Sequence, residues 1–277
     1  NRWMFFLALL MVPMNWGLES VKWHRLIIRV QNLSMITAFQ ATLAGVTASL
    51  FTPNRAGEFA GRMLYVKPEN RIKAILASAI CSFGQLLITL TIGSVALVAY
   101  LDQFSEASVS SEVLTIMLFI VATLTILALF FYYRFAAIRK LLEPLSGRWK
   151  KLRQSLKLLN LISGNDYTFV LFLSLLRYTV YCMQFFILLS FFEAGIPGTD
   201  ALILIPVNFL GITAIPSIAL AELGVREAVA LGFLNGSGTA TLSIISATLT
   251  LWLINVAGPA LVGTVFIAKA RIFEGND

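Results

Sequence analysis

Apolar residues run along this chain in long blocks separated by short charged stretches, and block length fixes what each can become. A helix rises 1.5 Å per residue and the hydrocarbon core of a bilayer is about 30 Å thick, so a crossing takes about 20 apolar residues. Ala74–Leu101, Val113–Tyr133, Tyr167–Phe192 and Thr239–Ala268 meet that length and are predicted to span. Arg2–Leu18 is a fifth span or the tail of one. Two further blocks, Thr37–Thr52 and Ala201–Leu220, are shorter and broken by Pro or Gly. Each of them is followed by charged residues and a second short apolar piece.

The charges orient these blocks. Residues 135–166 carry Arg139, Lys140, Arg148, Lys150, Lys151, Arg153 and Lys157 against Glu143 and Asp166. The connections 102–112 and 193–200 carry Asp102, Glu106, Glu112, Glu193 and Asp200 and neither Lys nor Arg. Lys and Arg accumulate on cytoplasmic loops, which places the basic loop and the C-terminus in the cytoplasm and the two acidic connections outside. Arg29 and Lys67 then both lie inside, so the piece 37–64 enters and leaves from the inside. Asp200 and the start of the last span both lie outside, so 201–235 enters and leaves from the outside, a pair of full crossings being open for this longer piece. The predicted fold is an all-α polytopic membrane helix bundle with two re-entrant hairpins in an inverted-topology repeat, the build of secondary transporters. It forms one membrane domain: a first unit over 1–101, a linking span over 113–133, a cytoplasmic segment over 135–166 and a second unit over 167–277. Within the basic loop Leu141, Leu145, Trp149, Leu152, Leu156 and Leu159 recur every three or four residues, which predicts an amphipathic helix on the cytoplasmic interface.

Composition agrees with the blocks. The chain of 277 residues is 58% apolar and 13% charged, with a mean hydropathy of +0.83, against about 25% charged in a soluble domain. Its net charge of +7 follows from cytoplasmic loops and gives no reason to expect a nucleic-acid partner. Cys81 and Cys182 lie inside separate spans and have neither disulfide nor metal-ligand spacing. No cofactor or metal is expected. The chain opens at Asn1, already entering an apolar stretch and without a cleavable signal pattern, so the protein is expected to begin upstream.

Candidate chemistry lies in the two broken pieces. Thr52 to Arg62 reads T-P-N-R-A-G-E-F-A-G-R, and Ile215 to Glu227 reads I-P-S-I-A-L-A-E-L-G-V-R-E. A shift of 164 places Glu58 on Glu222 and Arg62 on Arg226, so each piece carries E-x-x-x-R after a proline, Pro53 or Pro216. Acid before base at i, i+4 is the favourable order for a pair on one helical face. A charge at the bilayer centre costs about 2.5–3.5 kcal/mol on insertion scales, and such charges usually face an interior pathway. Arg177 sits some ten residues into its span, about 15 Å deep, and needs an acidic partner among Glu58, Glu222 and Glu227. Arg55 and Glu227 extend the set. The candidate substrate-binding residues are therefore Arg55, Glu58, Arg62, Arg177, Glu222, Arg226 and Glu227.

The stretch P-N-R-A-G-E over Pro53–Glu58 with Gly61-Arg62, L-G-V-R-E over Leu223–Glu227, and W-G-L-E-S-V-K-W over Trp16–Trp23 resemble one known family. This is the lysylphosphatidylglycerol synthase transmembrane-region family, the flippase-like membrane domain of multiple peptide resistance factor proteins. The resemblance covers essentially the whole chain. It implies a lipid-translocating domain of a bacterial inner membrane, with a membrane phospholipid or a lipid-linked sugar as substrate. The chain has S-I-A-L-A-E over Ser217–Glu222 where the family is usually glycine-rich, which leaves the headgroup open. No aminoacyl-transfer domain is expected within these residues, so the implied activity is translocation and not synthesis. In that reading arginines take the phosphate and a glutamate takes an amine or a proton. Two alternatives stay open. One is a non-transporting scaffold subunit of an envelope complex, or a homo-oligomer, for which the pairs Gly57/Gly61 and Gly232/Gly236 suit close helix contact. The other is a membrane transferase, against which the one histidine, His24, sits among Lys22 and Arg25 at the interface.

Overall fold

A computed structural model describes residues 2–52, 56–104, 109–134, 161–216, 219–236 and 239–274. Ten α-helices are present among them: α1 (Arg2–Ile27), α2 (Met35–Ser49), α3 (Gly57–Met63), α4 (Arg71–Gln103), α5 (Ser111–Tyr133), α6 (Gly164–Phe191), α7 (Gly198–Ala214), α8 (Ala219–Leu234), α9 (Thr241–Trp252) and α10 (Gly258–Glu274). A 3-10 turn, Pro68–Asn70, leads into α4, and a π-helical turn, Leu253–Ala257, joins α9 to α10. The predicted amphipathic segment and Arg55 lie outside the described residues. Serines start three helices where the pattern changes from polar to apolar. Ser34 and Ser110 accept the Thr37 and Val113 N–H groups, and Ser163 forms a reciprocal capping box with Asp166.

Among the described residues five helical stretches are long and apolar enough to cross a membrane: α1, the turn with α4, α5, α6, and the joined α9–α10. The other helices have 15, 7, 17 and 16 residues, and at 1.5 Å per residue none exceeds about 26 Å. The first span is longer than the apolar block suggested. It passes Leu18 and continues through Glu19, Lys22 and Arg25 to Ile27, because those charges are paired inward or at the helix end rather than left in lipid.

The packing order places the short helices against the long ones. Helix α1 lies on α6, α2 contacts α1, α3 and α10, and α4 contacts α5, α6 and α7. Helix α8 packs on α7 and α9, and α9 packs on α6. Glycines carry two of these contacts. A Cβ on Gly263 of α10 would stand 2.1 Å from the Leu43 carbonyl oxygen of α2, and one on Gly93 of α4 would stand 3.2 Å from the Pro206 carbonyl oxygen of α7. Within the first short pair, Gly57 and Gly61 pack on the Ala48 and Ala44 carbonyls, so this small-residue pair serves contact inside the chain. The Gly232/Gly236 pair meets nothing within 4 Å. Helix α5 stays peripheral, with Tyr132 its one buried residue.

Two apolar clusters divide the bundle. One gathers around Trp23, Leu26, Ile80 and Val170, the other around Phe185, Leu188, Phe209 and Ala247. On α6 the polar residues Ser174 and Arg177 fall between Val170 and Leu173 on one side and Phe185 and Leu188 on the other. A polar layer is thereby enclosed by apolar packing, where unpaired charge is costly.

Candidate functional site

The polar layer is organised by Glu19 of α1, which is 3% exposed. Its Oε2 accepts Lys22 Nζ at 2.8 Å and Arg177 Nη1 at 3.0 Å, and its Oε1 accepts Arg62 Nη2 at 3.0 Å. Lys22, fully buried, also donates to Ser174 Oγ at 3.1 Å and Gln85 Oε1 at 3.3 Å. Arg62, also fully buried, pairs with Glu58 one turn earlier on α3 and donates to Ser78 Oγ at 3.4 Å. The two arginines each lie over an indole of α1: Arg62 is 5.6 Å from the Trp23 ring centre, and Arg177 is 5.1 Å from that of Trp16. Cation–π contact gives both guanidinium groups a polarisable partner in the apolar layer.

An amide relay extends this cluster to the π-helical turn. Arg177 Nε donates to Asn15 Oδ1 at 2.8 Å, Asn15 Nδ2 donates to Asn255 Oδ1 at 3.1 Å, and Asn255 Nδ2 donates to Gln184 Oε1 at 2.9 Å. The π turn widens the helix ladder at Asn255, and its carbonyl accepts the Trp16 indole N–H at 3.1 Å. A single charged side chain of α6 is thus fixed from α1 and from the α9–α10 junction.

The second E-x-x-x-R pair forms on α8. Arg226 donates to Glu222 Oε1 from Nε at 3.0 Å and from Nη2 at 2.5 Å, and both residues are 8% exposed. Both repeated pairs therefore close as i, i+4 ion pairs on the second helix of a short pair.

Two adjoining cavities open beside these charges. One, of about 190 Å³, is lined by Arg177, Arg226, Trp16, Tyr178, Tyr181 and Asn255 among others. The other, of about 350 Å³, is lined by Glu19, Glu58, Phe59, Ser82 and Arg177. Gln85, Thr89, Arg177 and Thr213 border both, which makes them one cleft between α4, α6 and α7.

Of the residues singled out in the sequence, Glu58, Arg177 and Arg226 line this cleft, and Arg62 and Glu222 reach it only through their ion pairs with Glu58 and Arg226. Glu227, half-buried on α8, is not among the residues lining either cavity. The salt bridge of Arg177 is to Glu19 and not to Glu58, Glu222 or Glu227, the partners expected from the sequence. Glu19 and Lys22 were the residues missed. Their signal was present in W-G-L-E-S-V-K-W: an acid and a base at i, i+3, flanked by tryptophans, in a helix that does not stop there. His24 has a structural setting, its Nε2 lying 2.8 Å from the Leu33 carbonyl oxygen across the turn into α2. Asp166, fully buried at the start of α6, accepts Arg25 at 2.9 Å and Arg29 at 3.4 Å and ties the end of α1 to that helix. Among the described residues no group of three or more His, Cys, Asp and Glu is placed to hold a metal ion.

No curated protein and no solved structure matches this chain significantly. A family model does, that of the lysylphosphatidylglycerol synthase TM region, over residues 1–263. That match takes in α1 with its buried Glu19, both short helix pairs and the π turn. With five helices of membrane-crossing length and this match along nearly all of its residues, the chain is an integral membrane protein and belongs to the lysylphosphatidylglycerol synthase TM region family.

Proposed function

We propose that the chain translocates the headgroup of a phospholipid or lipid-linked molecule across the bacterial inner membrane, through the cleft between its two short helix pairs. The observation that carries this reading is the pair of adjoining cavities, with Arg177 and Arg226 lining one and Glu19 and Glu58 lining the other. Guanidinium groups match a phosphate in shape and charge, and intramembrane charges around a cavity commonly mark a pathway.

In this reading α2–α3 and α7–α8 are re-entrant hairpins, each too short to cross and return. The two units, 1–101 and 167–277, form an inverted repeat linked by α5. The exchange of contacts supports it: α10 of the second unit packs on α2 of the first, as α4 of the first packs on α7 of the second. The basic edges at Lys67, Arg71 and Lys73 and the acidic residues Asp102, Glu112, Glu193 and Asp200 then orient the C-terminus towards the cytoplasm. The chain acts as a translocase and not as a catalyst: its buried carboxylates are bound in ion pairs, which shape a path for charge.

The test is leaflet exchange of a fluorescent phospholipid in vesicles that hold the purified protein. The wild type is expected to exchange lipid faster than empty vesicles. Replacing a buried ion pair by uncharged groups of similar volume is often neutral for folding, so Glu222→Gln with Arg226→Met is expected to keep its unfolding temperature and lose the exchange. Exchange at the empty-vesicle rate for the wild type, or at the wild-type rate for the double variant, overturns the reading.

A further inference from the structure

We infer that the cleft has a side portal to the bilayer, bounded by Leu86 of α4, Phe59 of α3 and Thr213 of α7. Through it the headgroup of a diacyl lipid enters while the acyl chains stay in hydrocarbon. The inference rests on the translocation reading above and adds the route by which lipid reaches the cleft.

The two cavities differ in how their walls meet the surroundings. Apart from Thr213, which both share, every residue lining the smaller cavity is buried or half-buried. The larger cavity has Leu86, 38% exposed, and the exposed Thr213 in its wall, with the half-buried Phe59 and Glu58 beside them. The larger cavity is therefore the open end of the cleft and the smaller one its closed end.

Helix α4 fixes what lies outside the opening. Ser82, Gln85, Leu86 and Thr89 line the larger cavity, while Phe83, Leu86 and Leu90 are exposed. At 3.6 residues per turn these sets form adjoining stripes on one helix. Leu86 belongs to both, so it marks the rim where the polar interior ends. It stands near the middle of α4, Arg71–Gln103, a helix of membrane-crossing length. The middle of a crossing helix is surrounded by hydrocarbon and not by water, so an opening at Leu86 leads to acyl chains. The end of α7 on this side is exposed from Thr213 to Pro216, and Ala214, Ile215 and Pro216 keep it apolar.

The chemistry favours this route. Each CH₂ withdrawn from hydrocarbon into a polar cleft costs free energy, and so does a charged headgroup dragged through hydrocarbon. A lipid whose headgroup lies in the cleft, with its chains outside Leu86 and Phe59, avoids both costs.

The test uses a phospholipid with a maleimide on its headgroup, in vesicles of phosphatidylethanolamine and phosphatidylglycerol that hold the purified protein. The acceptor is a single cysteine at Thr89, half-buried and bordering both cavities, with Cys81 and Cys182 replaced by alanine. A lipid adduct is expected by mass spectrometry. Adding Leu86→Trp, which narrows the opening, is expected to slow its formation several-fold, and Leu86→Ala to speed it. Leu90→Trp, on the exposed face but outside both cavity walls, is expected to leave the rate unchanged. No adduct at position 89, or a rate that neither substitution at position 86 alters, overturns the portal. Leaflet exchange by the wild type is a separate readout. An adduct rate that depends on position 86 without exchange supports the portal and removes the translocation reading. Exchange with an adduct rate indifferent to position 86 does the reverse.

Discussion

Glu19→Gln is expected to be the most damaging single substitution in the protein, with a cost of about 3–5 kcal/mol, enough to prevent accumulation of folded chain. Glu19 is the shared partner of Lys22, Arg62 and Arg177, at 2.8, 3.0 and 3.0 Å. Glutamine has the same shape and no charge, so three cations would remain around one carboxylate, Glu58, which reaches only Arg62 among them. Removing one partner of a buried pair is costly because the other charge stays behind. The loss is expected to be partly reversed by adding Lys22→Met, which restores the balance and keeps a long side chain in place. Yield of monodisperse protein in detergent and its unfolding temperature check both expectations. A Glu19→Gln protein as stable as the wild type would contradict the account of the polar layer.

Gly61→Val is expected to follow as the second large effect. Its Cβ would meet the Ala44 carbonyl oxygen at 2.4 Å and Gly45 Cα at 2.5 Å. Both are backbone atoms, so α3 itself must move away from α2, and Glu58 and Arg62 move with it. Overpacking of a tight core costs about 1–3 kcal/mol or more. Gly232→Ala is the matched control. Its added methyl meets nothing within 4 Å, and relief of a mid-helix glycine favours the helix by up to about 1 kcal/mol. A fall in unfolding temperature for the first and none for the second is the expected outcome. Tolerance of valine at position 61 would mean that α2 and α3 do not pack as closely as described.

The spans were legible in the sequence because bilayer thickness converts block length directly into crossing. The bounds of α4, α5 and α6 agree with the apolar blocks to within a few residues for that reason. The repeated pairs Glu58–Arg62 and Glu222–Arg226 were legible too, since i, i+4 contact is local to a helix. Helix α1 was read short at Leu18 because hydropathy treats any charge as the end of a span. A charge held by inward partners looks the same in sequence as one that meets water. The partner of Arg177 was out of reach for a related reason. Glu19 lies in a different helix, and the α1–α6 contact that brings the two together comes from packing, not from spacing. The amide relay through Asn15, Asn255 and Gln184 was hidden likewise, because its members are far apart in sequence and the π turn that aims Asn255 has no spacing signal of its own.

The central claim is that headgroups pass through the cleft that Thr213 and Thr89 border between the two cavities. It is tested most directly by filling that cleft in an otherwise unchanged, folded protein. Thr213 is exposed and lines both cavities, so a single cysteine there, with Cys81 and Cys182 replaced by alanine, can take a bulky disulfide-linked group after reconstitution into vesicles. Lipid exchange is expected to stop when the group is attached and to return when reductant removes it. Exchange that continues unchanged with the cleft filled would contradict the account.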